Sequence, residues 1–248
     1  MFFKLLRMEG KKLRNSKITL IIWAGPLLAV LVAYFSMFNV SGNVPPWIAL
    51  MTQMMVPHAV LFLPLVTGVF TALLCSYEHS YGGWKMILTL PVSKWQVFLA
   101  KYMVSSLLVA LVQVAFFICT AILGMIKGIQ DPFPFMEILA TITVGWLASL
   151  PLVAFQLWMA VYFSSFATPT VINALFALPT ILIINSEKMG PLYPWSQPFL
   201  SMTQVFSQSI GGNAGFLISG QSFYLTIALS FILFLGLGIT YFTKKQWT

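Results

Sequence analysis

The side chains that could carry out chemistry are few and widely separated. The sequence has two histidines (His58 and His79), two cysteines (Cys75 and Cys119) and only five acidic residues. The cysteines lack the paired spacing of a zinc site, and His58 has no acidic partner or second ligand close to it in the sequence. We therefore expect neither catalytic residues nor a metal site in this chain.

A nucleotide-binding motif is also missing. No phosphate-binding loop of the form Gly-x-x-x-x-Gly-Lys-Ser/Thr occurs in the sequence. Gly82-Gly83 is followed by Trp84-Lys85, without the flanking strand and helix that a nucleotide site requires. We expect that the chain is not an enzyme and that it binds no cofactor of its own.

The composition explains why so few side chains could take part in chemistry. Of the 248 residues, 59% are hydrophobic and 7% are charged, whereas a soluble domain carries roughly 25% charged residues. Long apolar stretches recur along the whole chain, so residues 1–248 are predicted to form one membrane domain. The net charge of +8 does not indicate nucleic acid, because the basic residues occupy the two ends and one internal loop.

Six apolar stretches are long enough to cross a bilayer, which needs about 20 residues of helix. They are continuously apolar, and a helix satisfies its own backbone polar groups in lipid. The sequence therefore predicts an all-α integral membrane fold with spans near residues 18–38, 54–76, 97–125, 138–163, 169–185 and 223–242.

The basic residues predict the orientation of these spans. Placing the N-terminus inside puts eleven of them inside: Lys4, Arg7, Lys11, Lys12, Arg14, Lys17, Lys85, Lys94, Lys101, Lys244 and Lys245. Only Lys127 and Lys188 then fall outside. Positive residues concentrate on the cytoplasmic side, so both termini are predicted to be cytoplasmic.

Two further elements accompany the spans. Residues 1–17 place Phe2, Phe3, Leu5, Leu6 and Leu13 on one side of a helix and basic residues on the other, which is typical of an interfacial helix. Residues 186–221 form a long outer segment, rich in proline and glycine with apolar stretches between. We expect this segment to form a re-entrant hairpin, buried against protein.

The most distinctive stretch is the cytoplasmic loop 77–94. Trp84, Ile87, Leu88 and Pro91 share one face if this loop contains a short helix, and Ser93 is a suitable cap for the next helix. Such a helix would offer apolar side chains to a soluble partner, whereas an ordinary inside loop is more polar.

The run from Glu78 through Gly83-Trp84-Lys85 and Leu90-Pro91-Val92-Ser93-Lys94 to Lys101 resembles the cytoplasmic coupling region of ABC-2 type permeases. The sequence closely resembles the small permease subunits of bacterial exporters for lantibiotic immunity and bacitracin resistance. The resemblance implies two permease chains, identical or homologous, and two ABC ATP-binding subunits that bind ATP and Mg²⁺. It places the protein in the bacterial cell membrane.

The resemblance also implies roles for individual residues. The coupling helix would extend from Tyr81 to Leu90, with Trp84 and Leu88 in a cleft of the ATPase and Glu78 paired with a basic group. The ATPase-coupling residues are then Glu78, Tyr81, Trp84, Lys85, Ile87 and Leu88.

The family places its substrate path between two protomers, along the second and fifth spans. Candidates are Phe62, Phe70, Asn173, Phe176 and Asn185, and the expected substrate is an amphipathic antimicrobial peptide or another hydrophobic compound. A membrane scaffold or sensor without transport is an alternative, as is an ion-driven transporter or channel. The last is disfavoured because no charged residue lies in the middle of any span.

Overall fold

The computed structural model describes residues 2–14, 18–36, 44–89, 91–210 and 220–246, and every regular element within them is helical. The helices are α1 (Phe2–Arg14), α2 (Ile18–Phe35), α3 (Pro46–Pro57), α4 (Leu63–His79), α5 (Gly83–Leu88), α6 (Lys94–Ile126), α7 (Phe135–Tyr162), α8 (Ala167–Ala177), α9 (Thr180–Ile183), α10 (Gln197–Ile210) and α11 (Gly220–Lys244). The all-helical prediction is confirmed for these residues.

Four of the described helical segments are long and apolar enough to cross a membrane: Pro46–His79, Lys94–Ile126, Phe135–Tyr162 and Gln221–Lys244. Two shorter apolar segments, Leu20–Phe35 and Ala167–Ile183, lie where the first and fifth spans are predicted. The chain is therefore a multi-pass membrane protein.

The helix at the second predicted span begins earlier than predicted and changes its pitch. The helix starts at Pro46, and a π-helical turn at His58–Phe62 joins α3 to α4. Pro64 follows this turn, has no N–H to donate, and its ring crowds the carbonyl four residues back, that of Val60 within the turn. A local widening of the helix accommodates that crowding.

The fifth apolar segment is interrupted. α8 ends at Ala177, Pro179 cannot donate a backbone hydrogen bond, and α9 contains only four residues. The uninterrupted helix predicted for residues 169–185 is thus divided in two.

α7 lies at the centre of the bundle and packs against α4, α6, α10 and α11. One apolar core at the α1 end includes Leu5, Phe70, Trp84, Phe98 and Phe242. A second core at the opposite end includes Trp47, Met51, Phe116, Leu200 and Phe223. These two cores fix the ends of the long helices relative to each other.

The predicted outer segment 186–221 contains turns and then α10, which packs against α7. Its residues 211–219 lie outside the described ranges. The buried face of α10 carries polar as well as apolar side chains, including Gln197 and Ser201. Burial against protein is what irregular backbone needs if it enters a membrane.

Candidate functional site

The predicted coupling loop contains the short helix α5. It begins after Gly82, whose φ of 70° is left-handed and favours glycine. At Gly83, a Cβ would come within 2.8 Å of the Glu78 Cα, so the chain turns too tightly here for a larger residue. Ser93 and Gln96 form a capping box at the start of α6, which confirms the predicted Ser93 cap.

Trp84 of α5 points into the protein. Its side chain is 5% exposed, and its ring meets that of Phe242 edge to face, with centroids 5.2 Å apart. Its indole N–H donates to His79 Nδ1 at 3.2 Å, and His79 Nε2 lies 2.9 Å from the Ala160 carbonyl. Since Nδ1 accepts, Nε2 carries the proton and donates to that carbonyl. α5 is therefore fastened to α4, α7 and α11.

Four charged side chains meet beside Trp84 and form what we term the ion cluster: Glu9, Lys12, Glu78 and Lys101. Lys101 Nζ lies 2.7 Å from Glu78 Oε2 and 3.1 Å from Glu9 Oε2. Lys12 Nζ lies 2.5 Å from Glu78 Oε1 and 3.1 Å from Glu9 Oε1. The cluster joins α1, α4 and α6 and balances two positive charges against two negative ones.

Lys101 is the centre of this cluster. It is fully buried, donates to the Leu74 carbonyl at 2.8 Å, and lies 5.4 Å from the centroid of the Trp84 ring. A buried ammonium is costly unless it is paired and hydrogen-bonded, and Lys101 has two carboxylates and a carbonyl. The position of α1 on α6 and the position of α5 therefore depend on the same lysine.

The outward face of this region differs from the predicted one. Met86 is 73% exposed and Lys85 is exposed, whereas Trp84 and Ile87 are buried and Leu88 is half-buried. The side chain of Tyr81 and residue Leu90 lie outside the described part of the chain. In this arrangement Trp84 supports α5 from inside, and Lys85 and Met86 are its most exposed predicted partner-facing side chains.

A groove of about 360 Å³ adjoins this exposed face. It lies between α1 and α5 and is lined by Met8, Lys12, Tyr77, Glu78, Gly83, Met86 and Ile87. Met8 and Tyr77 are partly exposed at its edges. The groove has a mixed apolar and charged lining that can receive a protein side chain.

The C-terminal end of α11 closes over the same region. Lys94 Nζ donates to the carbonyls of Thr243 and Lys245, each at 3.2 Å, and Lys245 Nζ donates to the Val161 carbonyl at 3.2 Å. Burial lowers the pKa of the Lys245 ammonium. The end of α11 and Lys245 are thus tied to α6 and α7 beside α5.

The predicted substrate-path residues lie in different surroundings in the described chain. Asn173 and Phe70 are buried within the protein, and Phe62 is half-buried. Phe176 is 46% exposed, and Asn185 is exposed and donates to the Ile181 carbonyl. The exposed members are the ones that a substrate could contact.

Asn173 instead links the fifth apolar segment to the second. Its Nδ2 donates to the Pro64 carbonyl at 2.9 Å, and its Oδ1 accepts from Gln156 Nε2 at 2.5 Å and Trp195 Nε1 at 2.8 Å. A Cβ added at Gly68 would overlap the Asn173 amide. Gln156 and Trp195 were missed as partners, although a glutamine inside an apolar span is a signal of helix contact.

A buried polar pair, His58 and Gln113, lies at the π-helical turn. His58 Nε2 lies 3.1 Å from Gln113 Oε1, and the His58 ring stacks on Phe116 at 4.0 Å between centroids. Among the residues that the structure describes, no group of three His, Cys, Asp or Glu side chains could hold a metal ion.

The comparisons with known proteins address the family directly. Residues 5–180 match the family described as ABC-2 family transporter protein. The matched range includes α5 and all four residues of the ion cluster. No curated protein sequence matches the chain. Membership of this family implies association with an ABC ATP-binding subunit. On this match, which covers most of its length, the chain belongs to the ABC-2 family of transporter proteins.

Proposed function

We propose that the chain is the membrane subunit of an ATP-driven exporter and that a separate ABC subunit, which binds ATP and Mg²⁺, drives it through α5. The observation that supports this most strongly is the construction of α5: buried Trp84 and the ion cluster hold it from inside, while Lys85 and Met86 face outward. A surface loop without a partner would need no such support.

The physical link from partner to membrane follows from these contacts. A displacement of α5 acts on Trp84, and through Glu78 and Lys101 on α4, α6 and α1. Packed helices move as rigid bodies rather than bending continuously, so a small shift at α5 would rotate or slide the long helices. α4 and α6 are the segments that would carry the movement across the bilayer.

The proposed topology has six crossings with both termini in the cytoplasm of a bacterial cell. It is supported by the six apolar segments and by the concentration of lysine and arginine at the α1 end. α10 and its neighbouring turns would form the re-entrant part on the outer side.

The proposed assembly contains two ATP-binding subunits and a second permease chain, identical or homologous. The proposed substrate is an amphipathic peptide of the lantibiotic or bacitracin kind, or another hydrophobic compound. Phe176 is exposed on α8 and stacks on Trp195 with centroids 5.1 Å apart, and Asn185 lies nearby in sequence. These two residues are the part of the predicted path that remains open to a substrate.

A co-purification experiment tests whether α5 couples the chain to the ATPase. The chain is coexpressed with a candidate ABC ATP-binding subunit and purified, and Met86→Asp is compared with Met136→Asp, which alters an equally exposed methionine at the start of α7. We expect Met86→Asp alone to lower the amount of ATPase recovered by about tenfold, the effect of removing an interface contact of about 1.4 kcal/mol. Equal recovery of the ATPase with both variants would exclude α5 as the docking element.

A susceptibility assay separates export from a scaffold or sensor role. Cells expressing the chain with an active ATPase are compared with cells whose ATPase cannot hydrolyse ATP, in the presence of a lantibiotic or bacitracin. Resistance that needs hydrolysis supports export. Resistance that survives without hydrolysis supports the scaffold.

A further inference from the structure

A groove opens on the side of the protein at the level of α1. It has a volume of about 550 Å³, within the range of small-molecule pockets, and lies between α1, α6, α7 and α11. Its lining is almost entirely apolar and includes Leu6, Gly10, Tyr102, Met103, Trp146 and Phe231. Because α6, α7 and α11 contain candidate membrane spans, the groove opens toward the inner leaflet in the proposed topology.

Gly10 helps to keep the groove open. It lies in the middle of α1, where glycine is less favourable than alanine, and a Cβ added there would meet nothing within 4 Å. Neither backbone conformation nor close packing therefore accounts for this glycine. The space beside Gly10 is the space that an extended apolar chain would occupy.

The helix α1, which borders the groove, is positively charged on its exposed face. Lys4, Arg7 and Lys11 are exposed on α1, while Glu9, the one acidic residue of that helix, is buried in the ion cluster. The helix therefore presents only positive charge to the membrane surface. Anionic lipid headgroups are the complementary partner at that depth.

We propose that this groove binds one acyl chain of an anionic phospholipid of the inner leaflet, with the phosphate held by the basic face of α1. An acyl chain needs no hydrogen bonds from an apolar wall, whereas a peptide would leave its backbone groups unpaired. The proposal rests on the orientation given under the proposed function, and not on the substrate or on export.

The bound lipid would lie next to the ion cluster. Gly10 follows Glu9, and Tyr102 and Met103 follow Lys101. A lipid in the groove would hold α1 against α6 and so favour the paired state of Glu9 and Lys101. The lipid is thus a regulator of how firmly α5 is held.

Fluorescence quenching tests the proposal on the whole chain without an ATPase, so its outcome does not depend on the exporter function. The chain is placed in phosphatidylcholine nanodiscs that contain a small fraction of phosphatidylglycerol brominated on its acyl chains. The signal of Trp146 is taken as the difference between the wild type and Trp146→Phe. We expect this signal to be quenched about fivefold more by brominated phosphatidylglycerol than by brominated phosphatidylcholine at the same fraction.

Gly10→Leu fills the groove and should abolish that preference. Gly236→Leu is the matched control, since a Cβ at Gly236 on α11 also meets nothing within 4 Å. Unchanged thermal midpoints show that both variants fold. The proposal would be overturned if the two lipids quenched Trp146 equally or if neither quenched it. It would also be overturned if the preference for phosphatidylglycerol persisted in Gly10→Leu. An unquenched Trp146 would indicate instead that a second protein chain covers the groove.

Discussion

Replacing Lys101 with methionine tests the claim that the ion cluster holds α1, α4 and α6 together. Methionine keeps most of the length of the side chain and removes its charge. Glu9 and Glu78 then share a single partner, Lys12, in a site where both carboxylates are buried. We expect Lys101→Met to destabilise the protein strongly.

The expected magnitude follows from the environment of the cluster. Removing one partner from a buried ion pair costs about 3–5 kcal/mol. The Lys12 side chain is 28% exposed and still contacts both carboxylates, so part of the negative charge remains balanced. The free energy of unfolding should therefore fall by about 3 kcal/mol, the lower end of that range. This corresponds to a factor of about a hundred in the unfolding equilibrium.

Unfolding in mixed detergent, followed by tryptophan fluorescence, measures this loss. Lys94→Met is the control, because it removes the same side chain from the same helix without breaking an ion pair. Its loss should be about 1 kcal/mol, as expected for hydrogen bonds to backbone carbonyls.

A double variant makes the test sharper. Adding Glu78→Gln to Lys101→Met leaves one glutamate and one lysine in the cluster, so the charge is balanced again. The double variant should be more stable than Lys101→Met alone, by about 1 kcal/mol or more. The reasoning is refuted if the double variant loses as much stability as the sum of the losses in Lys101→Met and Glu78→Gln alone. The four side chains would then not act as a unit.

Three other predictions concern the packing of the bundle. Gly68→Val should lower the free energy of unfolding by about 1–3 kcal/mol, since the valine side chain displaces Asn173. Gly236→Val should change the free energy of unfolding little, and the same unfolding assay measures both variants. Cys75 and Cys119 are buried and should react with a soluble maleimide only after denaturation; rapid labelling of the native protein would contradict the fold. Trp84→Ala should cost about 3–5 kcal/mol through lost packing with Phe242, and an unaffected unfolding curve would show that Trp84 does not support α5.

Local and compositional signals predicted much of this fold. Apolar runs gave the positions of the six helical segments, the basic and apolar faces of residues 1–17 predicted α1, and Ser93 predicted the start of α6. Each of these features depends on a short stretch of sequence. The π-helical turn after Pro57 and the break at Pro179 were missed, because proline within an apolar run permits several backbone responses.

The candidate site could be predicted only in part, since its contacts join distant parts of the chain. Glu9 and Lys101 stand 92 residues apart, and no spacing rule connects them. Glu9 was nonetheless a usable signal, as the single acidic residue of a basic helix. The inward direction of Trp84 also depends on Phe242 near the far end of the chain, which no local helical pattern reveals.

Site-specific photo-cross-linking at Met86 tests the central claim most directly. A photoreactive residue replaces Met86 on α5 or, as a control, Met103 on α6, in cells that contain the proposed ABC subunit. The account predicts that position 86 cross-links to the ATP-binding subunit and that position 103 cross-links to lipid. Failure of position 86 to capture that subunit, with equal or greater capture at position 103, would contradict the coupling role of α5.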